Sequence, residues 1–131
     1  MSYTVLKELD HVDACHCGTC RRWSGGVHLG ADVGSDEMEL LGEENLVHYQ
    51  SSEWAERAFC ATCGTHIYYR ITAEGPGKGV YSLSAGTLDD MNGLPLKKEI
   101  YTDSKPDGYD FVGDHPRMTE AEFLKSIGLT P

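Results

Sequence analysis

The five cysteines of this 131-residue chain fall into two tight groups, Cys15-His16-Cys17-Gly18-Thr19-Cys20 and Phe59-Cys60-Ala61-Thr62-Cys63-Gly64. Such grouping constrains the fold strongly, because each set must be carried on a short turn that points several sulfurs to one place. In Cys60-x-x-Cys63 two thiols sit at the separation that lets a single turn present both sulfurs to a tetrahedral ion. Gly64 can take the left-handed backbone that such a knuckle favours, and Phe59 and Ile67 give the turn an apolar floor. Cys15, Cys17 and Cys20 are three potential sulfur ligands within six residues. Three protein ligands leave the fourth position of a tetrahedral zinc for water or substrate, the arrangement of catalytic sites. A free thiol of pKa near 8.5 is only about 3% ionised at pH 7, whereas a zinc-bound thiol is deprotonated outright. A substrate thiol taken into the open position would thus be activated.

The spacing is compatible with a second geometry. Cys17 and Cys20 can join Cys60 and Cys63 in one closed, zinc-ribbon-like site that leaves Cys15 spare. Two knuckles are evident, and the spacing leaves open whether they face one ion or two. His16 and His66 lie in or beside the clusters, where a histidine can complete a zinc site or shuttle a proton. Against that, strand alternation turns His16 away from an ion held by its neighbours, and His66 opens a strand. Arg21 and Arg22 follow Cys20 directly and are candidates for bidentate binding of a substrate carboxylate. Asp89-Asp90, between Gly86-Thr87-Leu88 and Met91-Asn92-Gly93, reads as a polar turn.

Composition narrows the function classes. The length suits one domain over residues 1–131, and 40% hydrophobic with 24% charged residues is globular composition. A net charge of -10 resists duplex DNA or RNA, so no nucleic-acid partner is expected. The same field repels a small anionic substrate unless basic residues stand beside its site, as Arg21 and Arg22 do. Met1 to Asp10 lacks the apolar stretch of a signal peptide and no run is long enough to cross a bilayer, so no membrane association is expected and the cytoplasm is the expected compartment. Thiols there stay reduced, and an odd count of five argues against a closed disulfide set.

The apolar residues fall mostly in short runs between glycine-rich or polar turns, which predicts a mainly β fold. Strands are expected at Tyr3 to Leu9, Val27 to Val33, Met38 to Leu41, Leu46 to Gln50, His66 to Ile71, Val80 to Ala85 and Lys97 to Tyr101. One short C-terminal helix is signalled by the capping box of Thr119 and Glu122 and by the stop at Gly128. Phe123, Leu124 and Ile127 are expected to pack it on the sheet. Asp103 to Arg117 reads as an extended loop.

At these residues the chain resembles the glutathione-dependent formaldehyde-activating enzyme family, which includes the related domain of centromere protein V. Cys15-His16-Cys17-x-x-Cys20-Arg21 followed by Gly25 resembles the family's catalytic-zinc segment, and Arg57-x-Phe59-Cys60-x-x-Cys63-Gly64-Thr65 its second signature. Ala85 to Asp90, then Ile100 to Tyr109 with Ser104-Lys105-Pro106, follow its later pattern. The resemblance implies a β-tent of twisted antiparallel sheets with zinc as cofactor. It implies a catalytic zinc on Cys15, Cys17 and Cys20, and a structural zinc on four cysteines, two of them matched by Cys60 and Cys63. The family's usual N-terminal Cys-x-Cys, which precedes the segment matched by Tyr3 to Leu9, is not in the sequence. Either Cys60 and Cys63 bind no metal, or they use other ligands, or the recorded start lacks a few residues.

The resemblance further implies a carbon-sulfur lyase, similar to S-hydroxymethylglutathione synthase, that joins formaldehyde to the thiol of glutathione. The expected partners are therefore a small thiol such as glutathione and an aldehyde. The alternative is a non-catalytic, zinc-stabilised binding module with a closed four-sulfur site.

Overall fold

The computed structural model describes residues 1–129, and they form a mainly β protein. Along the chain run β1 (Ser2–Val5), β2 (Val12–Cys15), α1 (Gly18–Ser24), β3 (His28–Val33), β4 (Met38–Leu41), β5 (Leu46–Gln50), β6 (Ala55–Cys60), β7 (His66–Ile71), β8 (Tyr81–Ser84), β9 (Leu96–Ile100), β10 (Arg117–Met118) and α2 (Glu120–Ser126). They belong to two compact units. One combines residues 1–10 with 31–92, and the other combines 11–30 with 93 onward.

In the first unit β1 pairs antiparallel with β4, and β5, β6, β7 and β8 form an antiparallel meander. Period-2 alternation buries Tyr81 and Leu83 of β8 while Ser82 and Ser84 stay half-buried. Those two join Ala31, Val33, Met38, Leu46, Ala58, Ile67 and Tyr68 in the core. The Tyr68 and Tyr81 rings meet edge to face at 4.7 Å, a geometry the ring quadrupoles favour. The turn from β6 to β7 is closed by Cys60 N–H to Thr65 O and Gly64 N–H to Cys60 O, both 2.8 Å. Gly64 stands at φ +76°, where a side chain would be strained.

In the second unit β2 lies antiparallel to the start of β3, with Cys15 opposite His28, and parallel to β9, with Ala14 aligned on Glu99. β10 adds in parallel on the other side of β9, with Arg117 opposite Glu99. Val12 and Ala14 point into the protein and Asp13 and Cys15 are half-buried. α2 begins at the Thr119 capping box, with both reciprocal hydrogen bonds made. Tyr101, just after β9, is left-handed at φ 57° without being glycine, and its ring sits 5.9 Å from that of Phe123.

The expected strands at Met38 to Leu41, Leu46 to Gln50 and His66 to Ile71 coincide with β4, β5 and β7, and β3, β8 and β9 lie within a residue or so of expectation. Four details differ. β1 ends at Val5 because Leu6 and the charged residues after it are exposed. β2 and β6, which carry Cys15 and Cys60, and the short α1 were not expected. Half of the buried positions in the two strands are alanine (Ala14, Ala55 and Ala58), which signals a strand weakly. β9 pairs in parallel with β2 and with β10, where antiparallel sheets were expected. Ile127 is 53% exposed and does not pack α2 down, whereas Phe123 does, against Tyr101 and beneath the Lys98 ammonium at 5.9 Å.

Candidate metal centre

The first cysteine group is built where a strand turns into a helix. Cys15 is the last residue of β2, and its successor continues the ladder through His16 N–H to Ile100 O at 3.1 Å. Cys17 is the N-cap of α1, and its sulfur accepts the N–H of Cys20 at 3.3 Å. Cys20, in the first turn, is buried. The helix is stopped by Gly25, left-handed at φ +78°, whose N–H returns to Arg21 O. The three Sγ atoms lie within 4.8 Å of one another.

Around a tetrahedral zinc with Zn–S of about 2.3 Å, sulfurs stand about 3.8 Å apart, so this group is within a small side-chain adjustment of a ligand set. The Cys15 thiol is pushed far above the ordinary thiol range, first by its hydrogen bonds with Cys17 and Cys20 and then by burial. A bound cation would reverse that, because a metal-coordinated thiol is deprotonated outright. The donor set therefore fits a thiophilic ion bound by three ligands, with one position left over.

His16 sits between two of these cysteines but faces the other way, as alternation requires, and is 1% exposed. Its Nε2 donates to Glu99 Oε1 at 2.7 Å and its Nδ1 faces the Tyr109 hydroxyl at 3.4 Å. The Tyr109 and Phe111 rings flank it with centroids at 6.1 Å. Glu99 is also 1% exposed, and its other oxygen takes His115 Nε2 at 2.6 Å and Arg117 Nε at 3.1 Å. Burial opposes ionisation of Glu99, but the hydrogen bonds from His115 and His16 and the charges of His16 and Arg117 outweigh it. Its carboxyl is held below the usual range.

Arg21 and Arg22 are both exposed on α1. A Cβ at Gly18 would stand 3.1 Å from Arg22 Nη1, so the glycine lets this guanidinium lie against the start of the helix. Neither arginine forms an ion pair with a carboxylate among the described residues.

The second cysteine pair lies in the first unit. Cys60 is buried at the end of β6 and its sulfur is approached by Asn45 Nδ2 at 3.5 Å. Cys63 is exposed, with its sulfur 3.0 Å from the Thr65 hydroxyl. That hydroxyl, with the Thr65 backbone and Cys60, lowers the Cys63 thiol. Both line a cavity of about 650 Å³ with Tyr3, Thr87 and Asp89. Among the described residues no third cysteine, histidine or carboxylate joins the pair in a ligand group. Two sulfurs are half a tetrahedral set and do not by themselves fit a closed zinc centre. His66 opens β7, and burial lowers its pKa, with the Arg57 charge adding to the effect.

The residues that the sequence left unmarked are Glu99, His115 and Tyr109. A glutamate next to lysine in a strand reads as solvent-facing, and only the pairing of β2 with β9 brings it under His16.

Fold and site together define a β protein with a three-cysteine group able to hold a metal ion. Residues 1–104 match the family described as glutathione-dependent formaldehyde-activating enzyme, and the chain belongs to that family. It is 33% identical to a Schizosaccharomyces pombe protein named as an uncharacterized lyase, over 94% of this chain and 87% of that protein. A Podospora anserina relative, whose name is that of a glutathione-dependent formaldehyde-activating enzyme, is 30% identical over 59% of this chain, which spans only 37% of its length. A Rhodobacter sphaeroides protein solved as a structural genomics target shares the fold, with TM-score 0.53 and 24% identity over 71% of this chain and 86% of that one. No helix among the described residues is long and apolar enough to cross a membrane.

Proposed function

We propose that the chain is a zinc-dependent carbon-sulfur lyase-type enzyme that joins a small thiol to an aldehyde, with glutathione and formaldehyde as the pair and S-hydroxymethylglutathione as the adduct. The observation that carries this reading is the convergence of Cys15, Cys17 and Cys20 within 4.8 Å, in a chain of this family. The family match runs through residues of both compact units, which supports reading 1–131 as one domain. The reduced state that five thiols require favours the cytoplasm.

Zinc, when bound, supplies a Lewis acid with one open coordination position. Cys15, Cys17 and Cys20 hold it at the junction of β2 and α1. Arg22, lying against Gly18, and Arg21 beside it offer guanidinium groups to the carboxylates of an anionic thiol such as glutathione. Cys60 and Cys63 form a separate knuckle, and no step of the reaction runs through them.

The test is the initial rate of adduct formation from formaldehyde and glutathione, followed by NMR with zinc-loaded protein. Acceleration above the uncatalysed rate, lost on chelation, is expected. No acceleration by protein that retains zinc would sink this substrate pair.

A further inference from the structure

We infer that Glu99 is the positioning residue of the three-cysteine site, acting through His16 on the backbone that carries Cys15 and Cys17. The inference rests on the metal-site part of the proposed function and is independent of the substrates.

Three side chains from two stretches of chain meet at the Glu99 carboxylate. His16 directly follows β2, His115 stands just before β10 and Arg117 opens β10, while Glu99 itself lies in β9. The backbone ties the same pieces together, through His16 N–H to Ile100 O at 3.1 Å and Glu99 N–H to Pro116 O at 3.0 Å. Because ionised Glu99 accepts from Nε2, His16 holds a proton there and turns Nδ1 toward the Tyr109 hydroxyl. With one edge hydrogen-bonded, the other facing a hydroxyl and rings close by, the imidazole has one orientation.

That orientation matters for the sulfurs because His16 is the single residue between two of them. Its side chain is anchored on one side of the strand, so Cys15 and Cys17 project to the other. The backbone angles at His16 then fix how far apart they stand. The device is comparable to the outer-shell carboxylates that orient metal ligands, except that it grips the peptide between ligands and not a ligand itself. A salt bridge that only stabilised the unit would not need the histidine within the ligand run.

The experiment measures zinc affinity by chelator competition and the absorption spectrum of the cobalt form, for wild type, Glu99→Gln, His16→Gln and His16→Ala. Glu99→Gln is expected to keep the far-ultraviolet circular dichroism of the wild type but to bind zinc about 10- to 100-fold more weakly, with a shifted cobalt spectrum. His16→Ala should lose a similar factor, while His16→Gln, whose amide N–H can reach toward Glu99, should recover most of it. The double variant Glu99→Gln/His16→Ala should lose no more than the worse single variant, since the two act in series. If Glu99→Gln does not fold, the contrast between His16→Gln and His16→Ala decides alone, and equal affinity for those two overturns the inference. Wild-type zinc affinity and an unaltered cobalt spectrum in Glu99→Gln overturn it as well. Those results leave the proposed function standing, whereas a wild-type chain that binds no zinc overturns both.

Discussion

Cys17 holds two positions at once, and its substitutions separate them. It caps α1, accepting the Cys20 N–H at 3.3 Å, and its sulfur is one of the three gathered within 4.8 Å. Sulfur is a weak acceptor, so the cap it makes is at the low end of the roughly 0.5–2 kcal/mol that side-chain caps contribute. Serine is among the best N-cap residues and keeps an acceptor at the same branch point. Cys17→Ser should therefore leave the metal-free protein as stable as the wild type, while Cys17→Ala should lose about 0.5–1 kcal/mol. For a chain of this size that is roughly 2–5 °C in melting temperature. Both variants lose a ligand, so zinc affinity should fall in each by more than the roughly 10- to 100-fold that outer-shell changes cost. The assay pairs thermal melting of the reduced, metal-free proteins with zinc competition on the same samples. Serine and alanine variants that melt together below the wild type would refute the capping argument, and a Cys17→Ser protein that keeps wild-type zinc affinity would remove Cys17 from the ligand set.

Arg21→Gln and Arg22→Gln should each raise the apparent Michaelis constant for glutathione about tenfold, the weak end of what a hydrogen bond to a charged group contributes, because both are exposed. Steady-state rates with a neutral thiol should scarcely change, and zinc content should not. In metal-free protein Cys63 should be alkylated by iodoacetamide faster than buried Cys60, and Thr65→Val should slow it, since the Thr65 hydroxyl is the main cause of its lowered pKa; peptide mapping over time reads both. Glu99 has a folded pKa below its unfolded value, so its stabilisation is complete above that value and is lost as pH falls through the folded one. Urea midpoints of metal-free wild type should therefore drop more steeply than those of Glu99→Gln as the pH falls below the ordinary carboxylate range, with His16, His115 and Arg117 the charged and polar groups that face it.

The candidate site was legible in the sequence to the extent that its residues are neighbours along the chain. Cys15, Cys17 and Cys20 announce themselves by spacing, and so does the knuckle of Cys60 and Cys63. Strands rich in large β-formers, such as His66-Ile67-Tyr68-Tyr69-Arg70-Ile71, were equally plain. Val12-Asp13-Ala14-Cys15 was not, because the residue facing the interior at its centre is Ala14, fully buried yet too small to give an apolar pulse. The capping box placed α2 correctly, but Ile127 falls at the C-cap, past the last full turn, and is exposed where the sequence predicts packing.

Parallel pairing explains why the remainder was hidden. Two parallel neighbours need a long connection, and between β2 and β9 that connection holds most of the chain, so His16 and Glu99 are hydrogen-bonded although 83 residues apart. An antiparallel hairpin would have put the partner of His16 a few residues away, where a pattern could reveal it. The same long connection has a structural consequence. A register shift in β9 would carry Glu99 away from Ala14 and reverse the face its side chain takes, leaving a charged carboxylate without His16 and His16 without an acceptor. Burying either group unpartnered is costly, so the carboxylate that grips the cysteine segment also selects the register in which that segment is built.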